Sequence, residues 1–376
     1  MNERIIAPDR RAGGVTGVLD VDFSLSLLNR TGAYYLSRDL IDNLRPLFDS
    51  VRCWRLPQRM MPEGLPRKLL ARLMLGEYRV LGSLPLFTIP RQALKTLYLD
   101  PLYVLRTKLT KSDIVLCHDV GPLSHPELFA PETVALYRSA YEKIRRAGPG
   151  IVLVSEASKR AFIELHGTRF RFVHVIPLYP RRRAQTLQPT PVLGVHSPFI
   201  LAVGGLEHRK NYLRCIEAFM SSSLSATHQF VICGPNGNAA KAVRSAAEGC
   251  SRVHVLGNVS DAQLGWLYEH AAAFFLPSLL EGFGIPVIEA AERGLICVTS
   301  AESAQEEALG GHGIFVDPTS IGSIRAGLER LTRMPDEERD ACIARARAHA
   351  AVLSQDRFLT AWRTLLTHES ASAQMG

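Results

Sequence analysis

Two carboxylates, Glu281 and Glu289, stand with seven residues between them in the stretch Pro277-Ser278-Leu279-Leu280-Glu281-Gly282-Phe283-Gly284-Ile285-Pro286-Val287-Ile288-Glu289. The first lies in a glycine-bearing loop, the second in the opening turns of a helix that Pro286 starts. Proline costs nothing there, because its missing N–H would be unpaired in any case. The apolar run 271–276 before the loop reads as a buried strand. Strand, loop and helix in that order leave backbone N–H groups at the helix start, aimed at whatever fills the loop. Such a site suits an anionic or polyhydroxylated ligand. Either glutamate alone reads more readily as a surface carboxylate. Gly282 and Gly284, flanking Phe283, favour the ligand, since they permit close approach of the backbone.

A second group is cationic. Arg209-Lys210-Asn211 comes after an apolar run, Phe199–Val203, and Gly204-Gly205. Asn211 reads as the cap of the next helix. Two cations at a helix mouth complement a diphosphate, and the helix dipole adds to the same field. The alternative is a pair of solvated surface charges. His118, with Asp119, comes after the apolar run Ile114–Cys117, where a histidine either bonds locally or touches substrate. Asp20-Val21-Asp22 places two carboxylates on one face of a strand. No other ligands cluster with them, so no metal is expected.

The elements that must hold these residues alternate between strand and helix. Runs at 15–23, 114–117, 151–154 and 173–176 read as strands in the first half. Runs at 199–203, 229–233, 253–256, 273–276 and 296–299 do so in the second. Helices are expected at 33–45, at 131–146 and after the Ser155 cap. Alternation implies an α/β fold with parallel sheets covered on both faces, and ligands at the carboxyl ends of the strands. A polar, proline-containing linker at 181–197 separates two domains facing across a cleft. Their expected limits are 1–185 and 198–355, with a C-terminal helix and tail at 356–376 packing back on the first.

Composition narrows the partners. The net charge of +8 calls for an anionic one. Residues 52–111 carry twelve Lys or Arg against three acids, interleaved with Leu and Met. A helix of that kind lies on an anionic membrane surface or is a solvated helix with one core face. Aromatics do not interleave with the basic run as stacking platforms would, so nucleic acid is not expected as a partner. Seven scattered cysteines, without a Cys-x-x-Cys pair, suit reduced thiols in the cytoplasm. No signal peptide opens the chain and no run is long enough to span a bilayer. The phosphate loops of dehydrogenases and P-loop enzymes are absent from the sequence.

These motifs resemble the family-4 retaining glycosyltransferases of the GT-B type. The resemblance runs over 18–366 and is strongest over 199–318. The Phe199–Val203 run with Gly204-Gly205 and Arg209-Lys210-Asn211 is similar to the family's diphosphate element. Val255-Leu256-Gly257-Asn258-Val259, with Leu264 and Leu267-Tyr268, is similar to its base-binding segment. Glu281 and Glu289 form its Glu-seven-Glu signature, and Glu307 with Val316-Asp317-Pro318 matches the family's next segment. Asn29-Arg30-Thr31-Gly32 resembles its glycine loop, and His118-Asp119 and Ser155-Glu156 resemble later markers. The segment 302–307 departs from the family's regular form.

The resemblance implies two Rossmann-like, doubly wound domains and a nucleoside diphosphate sugar as donor. It implies no metal and no cofactor. Arg209 and Lys210 would bind the diphosphate, Glu281 with Gly282, Phe283 and Gly284 the sugar, Glu289 the ribose, and His118 the sugar from the facing domain. Gly32, Gly205, Gly257 and Val259 would complete the donor site. The expected activity is transfer of a hexose, mannose from GDP-mannose, to a growing surface or exopolysaccharide glycan. The acceptor would be a glycan or a polyprenyl-diphosphate-linked oligosaccharide at the inner face of the membrane. The alternatives are an epimerase or hydrolase on the same fold, and a non-catalytic nucleotide-sugar or membrane-binding protein.

Overall fold

Short apolar runs closed by Gly, Asp or Ser become the strands of two sheets. The structure, a computed structural model, describes residues 19–28, 32–60, 63–81, 94–180 and 188–374. The expected strand residues 15–18, residues 29–31 of the glycine loop and linker residues 181–187 lie outside them.

The first sheet holds β1 (Leu19–Asp22), β2 (Ser50–Cys53), β3 (Leu56–Pro57), β4 (Lys95–Tyr98), β5 (Ile114–Cys117), β6 (Gly150–Leu153) and β7 (Phe172–Val175). Their order is β3-β2-β1-β4-β5-β6-β7, and every pair but β2–β3 is parallel. The second sheet holds β8 (Phe199–Val203), β9 (Gln229–Cys233), β10 (Val253–Gly257), β11 (Ala273–Leu276), β12 (Cys297–Ser300) and β13 (Ile314–Val316). It is wholly parallel, in the order β10-β9-β8-β11-β12-β13. Every residue of β4, β5, β6, β11 and β12 is buried, as strands covered by helices on both faces require. In each sheet the order reverses once, between β1 and β4 and between β8 and β11. The crevices where ligands settle lie at those switch points.

Sequence reading missed β2, β3, β4 and β13. β4 contains Lys95 and Thr96, polar by letter yet buried; Asp113 receives the Thr96 N–H at 2.8 Å. β13 is three residues long, too short to register as a periodic run. Asn211 stands at the expected cap of the next helix, but its side chain bonds elsewhere. It occupies the cap position of the helix Tyr212–Met220 in a left-handed conformation, φ 62°, without a side-chain cap bond. Its amide donates to the carbonyls of Pro277 (3.0 Å) and Pro318 (2.7 Å). The residue ties the β8 loop to the loops after β11 and β13. Ser303 does cap the helix Ala304–Ala308, through the N–H groups of Gln305 and Glu306.

The helix Gly64–Leu81 is the basic, apolar segment read from sequence. Ala71, Met74 and Tyr78 face the core. Glu77 anchors the helix, accepting from Trp54 Nε1 (2.8 Å), Arg55 (2.6 Å) and the buried Arg106 (3.1 Å). Leu65, Leu69, Leu73 and Val80 stay exposed on the outer side, 54–79% accessible, among exposed Lys68, Arg72 and Arg79. Among the described residues no helix is long and apolar enough to cross a membrane.

The helix Gln355–Gln374 ends the described chain. Phe358, Trp362 and Leu366 are buried along it. Phe358 lies 5.2 Å, ring to ring, from Tyr179, whose hydroxyl donates to Asp39 of the first half at 2.7 Å.

Candidate active site

The loops after β8 and β11 meet in a cluster of four charges. Lys210, 5% exposed, pairs with Glu281 Oε1, which also accepts from Ser278 Oγ at 3.1 Å. Arg209 Nη1 binds Glu281 Oε2 at 3.0 Å, and its Nε binds Glu207 Oε2 at 2.6 Å. The backbone carbonyl of Arg209 accepts from Leu279 N–H at 2.8 Å, fastening one loop to the other. Burial pushes the Glu281 carboxyl up, but Lys210 and Arg209 outweigh it and hold the group below the ordinary carboxylate range. Glu281 is therefore ionised, and the buried cluster is balanced. The motifs assign Glu207 to the loop and give it no role. Its place two positions before Arg209 is the available signal.

Glu289 is 7% exposed, and its Oε2 accepts from Tyr268 OH at 3.0 Å. The Arg293 guanidinium lies over the Tyr268 ring at 4.9 Å. Gly205 comes after β8 with its α-carbon against Glu207; a Cβ there would meet Oε1 at 2.9 Å. Gly257 ends β10 at φ 73°, where only glycine is at ease, and Val259 packs on the core just beyond.

The first half brings its own edge to this cluster. His118 directly follows β5, and its ring is hydrogen-bonded to the Leu99 backbone. Burial lowers its pKa, so the imidazole is neutral near pH 7. Its Nε2 is buried with no hydrogen-bond partner among the described residues. Such an orphan costs free energy unless a ligand satisfies it. Gly32 faces the second half across the cleft, 3.5 Å from Ile285 Cδ1 at the position of its missing Cβ. Asp100 lies two residues past β4, close enough to Asp119 to feel its charge. Burial pushes its carboxyl up to about 7, while Leu102 N–H and Tyr137 OH bind it.

The two halves touch through these loops. The carbonyl of Gly282 accepts from Ser155 Oγ (2.7 Å) and Ser158 Oγ (3.1 Å). A Cβ on Gly282 would stand 2.3 Å from the His118 carbonyl oxygen. Beside the ligand approach expected at Gly282, the structure shows a close approach of the facing half's backbone. Glu307, given no role from sequence, reaches across to the helix Glu156–His166. Its two oxygens accept from the N–H groups of Glu156 (2.7 Å) and Ala157 (2.9 Å). That carboxylate sits on the positive end of the helix dipole.

Asp20 and Asp22 are both buried in β1, bound by Ser50 Oγ and Ser24 N–H. Among the described residues no three His, Cys, Asp or Glu side chains gather where an ion would sit.

Two doubly wound domains, with a cationic loop at the switch point of one facing a histidine edge of the other, have the build of the GT-B glycosyltransferases. Residues 188–349 match the family model described as "Glycosyl transferases group 1". The chain is 25% identical over 280 residues to O-antigen chain mannosyltransferase B of Escherichia coli, covering 70% of this chain and 72% of that one. It is 25% identical over 240 residues to the serotype-specific mannosyltransferase WbdA of Escherichia coli, 58% of this chain but only 29% of that longer protein. The solved structure of WaaG, a glycosyltransferase involved in lipopolysaccharide biosynthesis, superposes with a TM-score of 0.60 at 16% identity, over 90% of this chain and 96% of that one. The chain has the two-sheet fold of the GT-B glycosyltransferases, and its second half matches their group 1 family model.

Proposed function

We propose that this glycosyltransferase moves mannose from GDP-mannose to a growing, lipid-linked polysaccharide, with retention of configuration and without a metal. The observation that carries the reading is the buried Arg209–Lys210–Glu281 cluster at the β8–β11 switch point. In the reaction the bond from the anomeric carbon to the diphosphate breaks and one to the acceptor oxygen forms. The acceptor proton leaves with the phosphate. Charge builds on the diphosphate as the bond breaks, so preformed cations count most at that moment. Glu207 is the more exposed partner of Arg209, 37% against 8% for Glu281. A diphosphate therefore replaces Glu207 on Arg209, while Glu281 keeps Lys210 in place and accepts from sugar hydroxyls. His118 Nε2 meets the sugar from the facing half, and Glu289, steadied by Tyr268, takes the ribose. The names of the mannosyltransferase relatives support the sugar and the polysaccharide acceptor.

The test offers GDP-mannose, UDP-glucose and dTDP-glucose with a polyprenyl-diphosphate-linked oligosaccharide, in EDTA. The expected result is mannose transfer from GDP-mannose alone, with an α-linked product by NMR. A β-linked product rules out retention, loss of turnover in EDTA rules out metal independence, and release of free sugar without transfer favours a hydrolase.

The acceptor reading also rests on the helix Gly64–Leu81. Exposed Leu65, Leu69, Leu73 and Val80 recur at helical spacing with Lys68, Arg72 and Arg79 on the same side. Leucines that enter the acyl boundary beside cations that meet lipid phosphates are the make-up of an interfacial helix. Vesicles with about one third anionic lipid are expected to sediment the protein at low salt, and Leu69→Glu with Leu73→Glu to release it. No sedimentation of the wild type at low salt removes the membrane from the proposal.

A further inference from the structure

We infer that Arg244 reads the base of the nucleotide donor and selects guanine; the inference rests on the donor site proposed above. From a diphosphate at Arg209 and Lys210, the nucleoside has two directions along the sheet edge. Toward β12 and β13 the edge is filled by protein. Gln305 bonds Ser278 N–H and the Leu276 carbonyl there, and Asn211 spans Pro277 and Pro318. Toward β9 and β10 each strand ends in glycine. Gly204, Gly234 and Gly257 end β8, β9 and β10, all at positive φ, and Gly234 packs so closely that a Cβ would stand 2.0 Å from the Gly204 carbonyl. Strand ends with no side chains of their own make a floor whose backbone a planar base can approach.

Arg244 is the cation over that floor. It lies on the helix Ala240–Ala247, which joins β9 to β10. Its Nη2 is 3.3 Å from where a Gly257 Cβ would be. Nη1 donates to the Val255 carbonyl at 3.3 Å and Nη2 to Asn236 Oδ1 at 3.1 Å. Two of five N–H donors are thus spent on fixing the guanidinium plane, and the side chain is otherwise exposed. An arginine already held at two points loses little further freedom on binding. A fixed fork of donors matches two adjacent acceptors, the O6 and N7 of guanine. Adenine sets a donor beside its N7, and uracil sets an N–H between its two acceptors, O2 and O4.

The experiment is calorimetric titration of the full chain with GDP, UDP and ADP, for the wild type, Arg244→Ala and Arg244→Lys. The wild type is expected to bind GDP at least about tenfold tighter than UDP or ADP. Arg244→Ala is expected to lose at least about tenfold for GDP and less than about twofold for UDP, with lysine recovering only part, since a point charge lacks the fork. Unaltered UDP binding reports that the variant is folded. If Arg244→Ala keeps the wild-type GDP-to-UDP ratio, or loses both nucleotides equally, Arg244 only clamps the two loops and the inference fails. If the wild type itself shows no preference for GDP, the guanine donor fails first.

Discussion

Glu281→Ala is expected to cost both turnover and about 3–5 kcal/mol of stability, the usual loss when one partner of a buried ion pair is removed. Lys210 is buried and has Glu281 as its ion-pair partner, whereas Arg209 keeps Glu207. The variant therefore leaves an ammonium uncompensated in the interior. The depressed carboxyl sets the sign of the pH dependence. In the wild type the stabilisation is complete above the ordinary carboxyl range and is lost as pH falls through the lowered value. Glu281→Ala removes that acid limb. A diphosphate supplies the missing negative charge, so GDP should raise the melting temperature of the variant more than that of the wild type. Turnover should fall by at least about a hundredfold, on the scale of losing one preorganised electrostatic contact. Differential scanning fluorimetry across pH, with and without GDP, reads the first part. A variant melting with the wild type, with the same GDP shift, would falsify the account of this cluster.

Gly282→Ala is expected to act through the opposite route, leaving the fold intact and blocking the chemistry. The backbone at Gly282 is not in the left-handed region, so alanine introduces no torsional strain. What it meets is the His118 carbonyl of the facing half, 2.3 Å from the new methyl carbon. The loops must part, and the bonds from Ser155 and Ser158 to the Gly282 carbonyl lengthen with them. Parting separates Glu281 from His118, and a misplacement of about 1 Å at a reacting centre can cost on the order of a hundredfold. Nucleotide affinity should stay within about threefold, because Arg209, Lys210 and Glu289 all belong to the second half. Turnover beside calorimetric GDP binding separates the two. Wild-type turnover in Gly282→Ala would mean that the reaction does not use the contact between these loops.

The second half is the more legible because β8, β9 and β11 are largely apolar runs followed by glycine or proline. The limits of β9 and β11 read from sequence coincide with those in the structure. Strands whose buried residues are polar by letter, such as Lys95 and Thr96 of β4, carry no such signal. The position of Arg209 and Lys210 beside Glu281 is legible in outline, since both loops leave strands of one parallel sheet. The counter-charge from Glu207 is not, because a carboxylate next to a cation in a loop is usually solvated. Contacts between the halves are the least legible. Ser155 meets Gly282 127 positions away and Glu307 meets Glu156 151 positions away. Periodicity reports which face of an element is buried, not which distant loop will lie against it. The loop at Gly282 reads as a place of close approach, but the partner it meets in the facing half, the His118 backbone, has no signal in the sequence.

The return of the C-terminal helix has a mechanical meaning. The backbone leaves the first half just past Tyr179 and comes back at Phe358, and those two rings lie 5.2 Å apart. The last described residues before the first crossing and the opening turn of the returning helix therefore lie side by side. Bodies tethered at a single small region cannot slide past each other there; they can only swing about it. A few degrees of rotation at such a pivot become ångströms of gape at the far lips of the cleft. Entry of donor and departure of nucleotide then need no unfolding of either half, only the breaking of the few polar bonds that hold the lips shut.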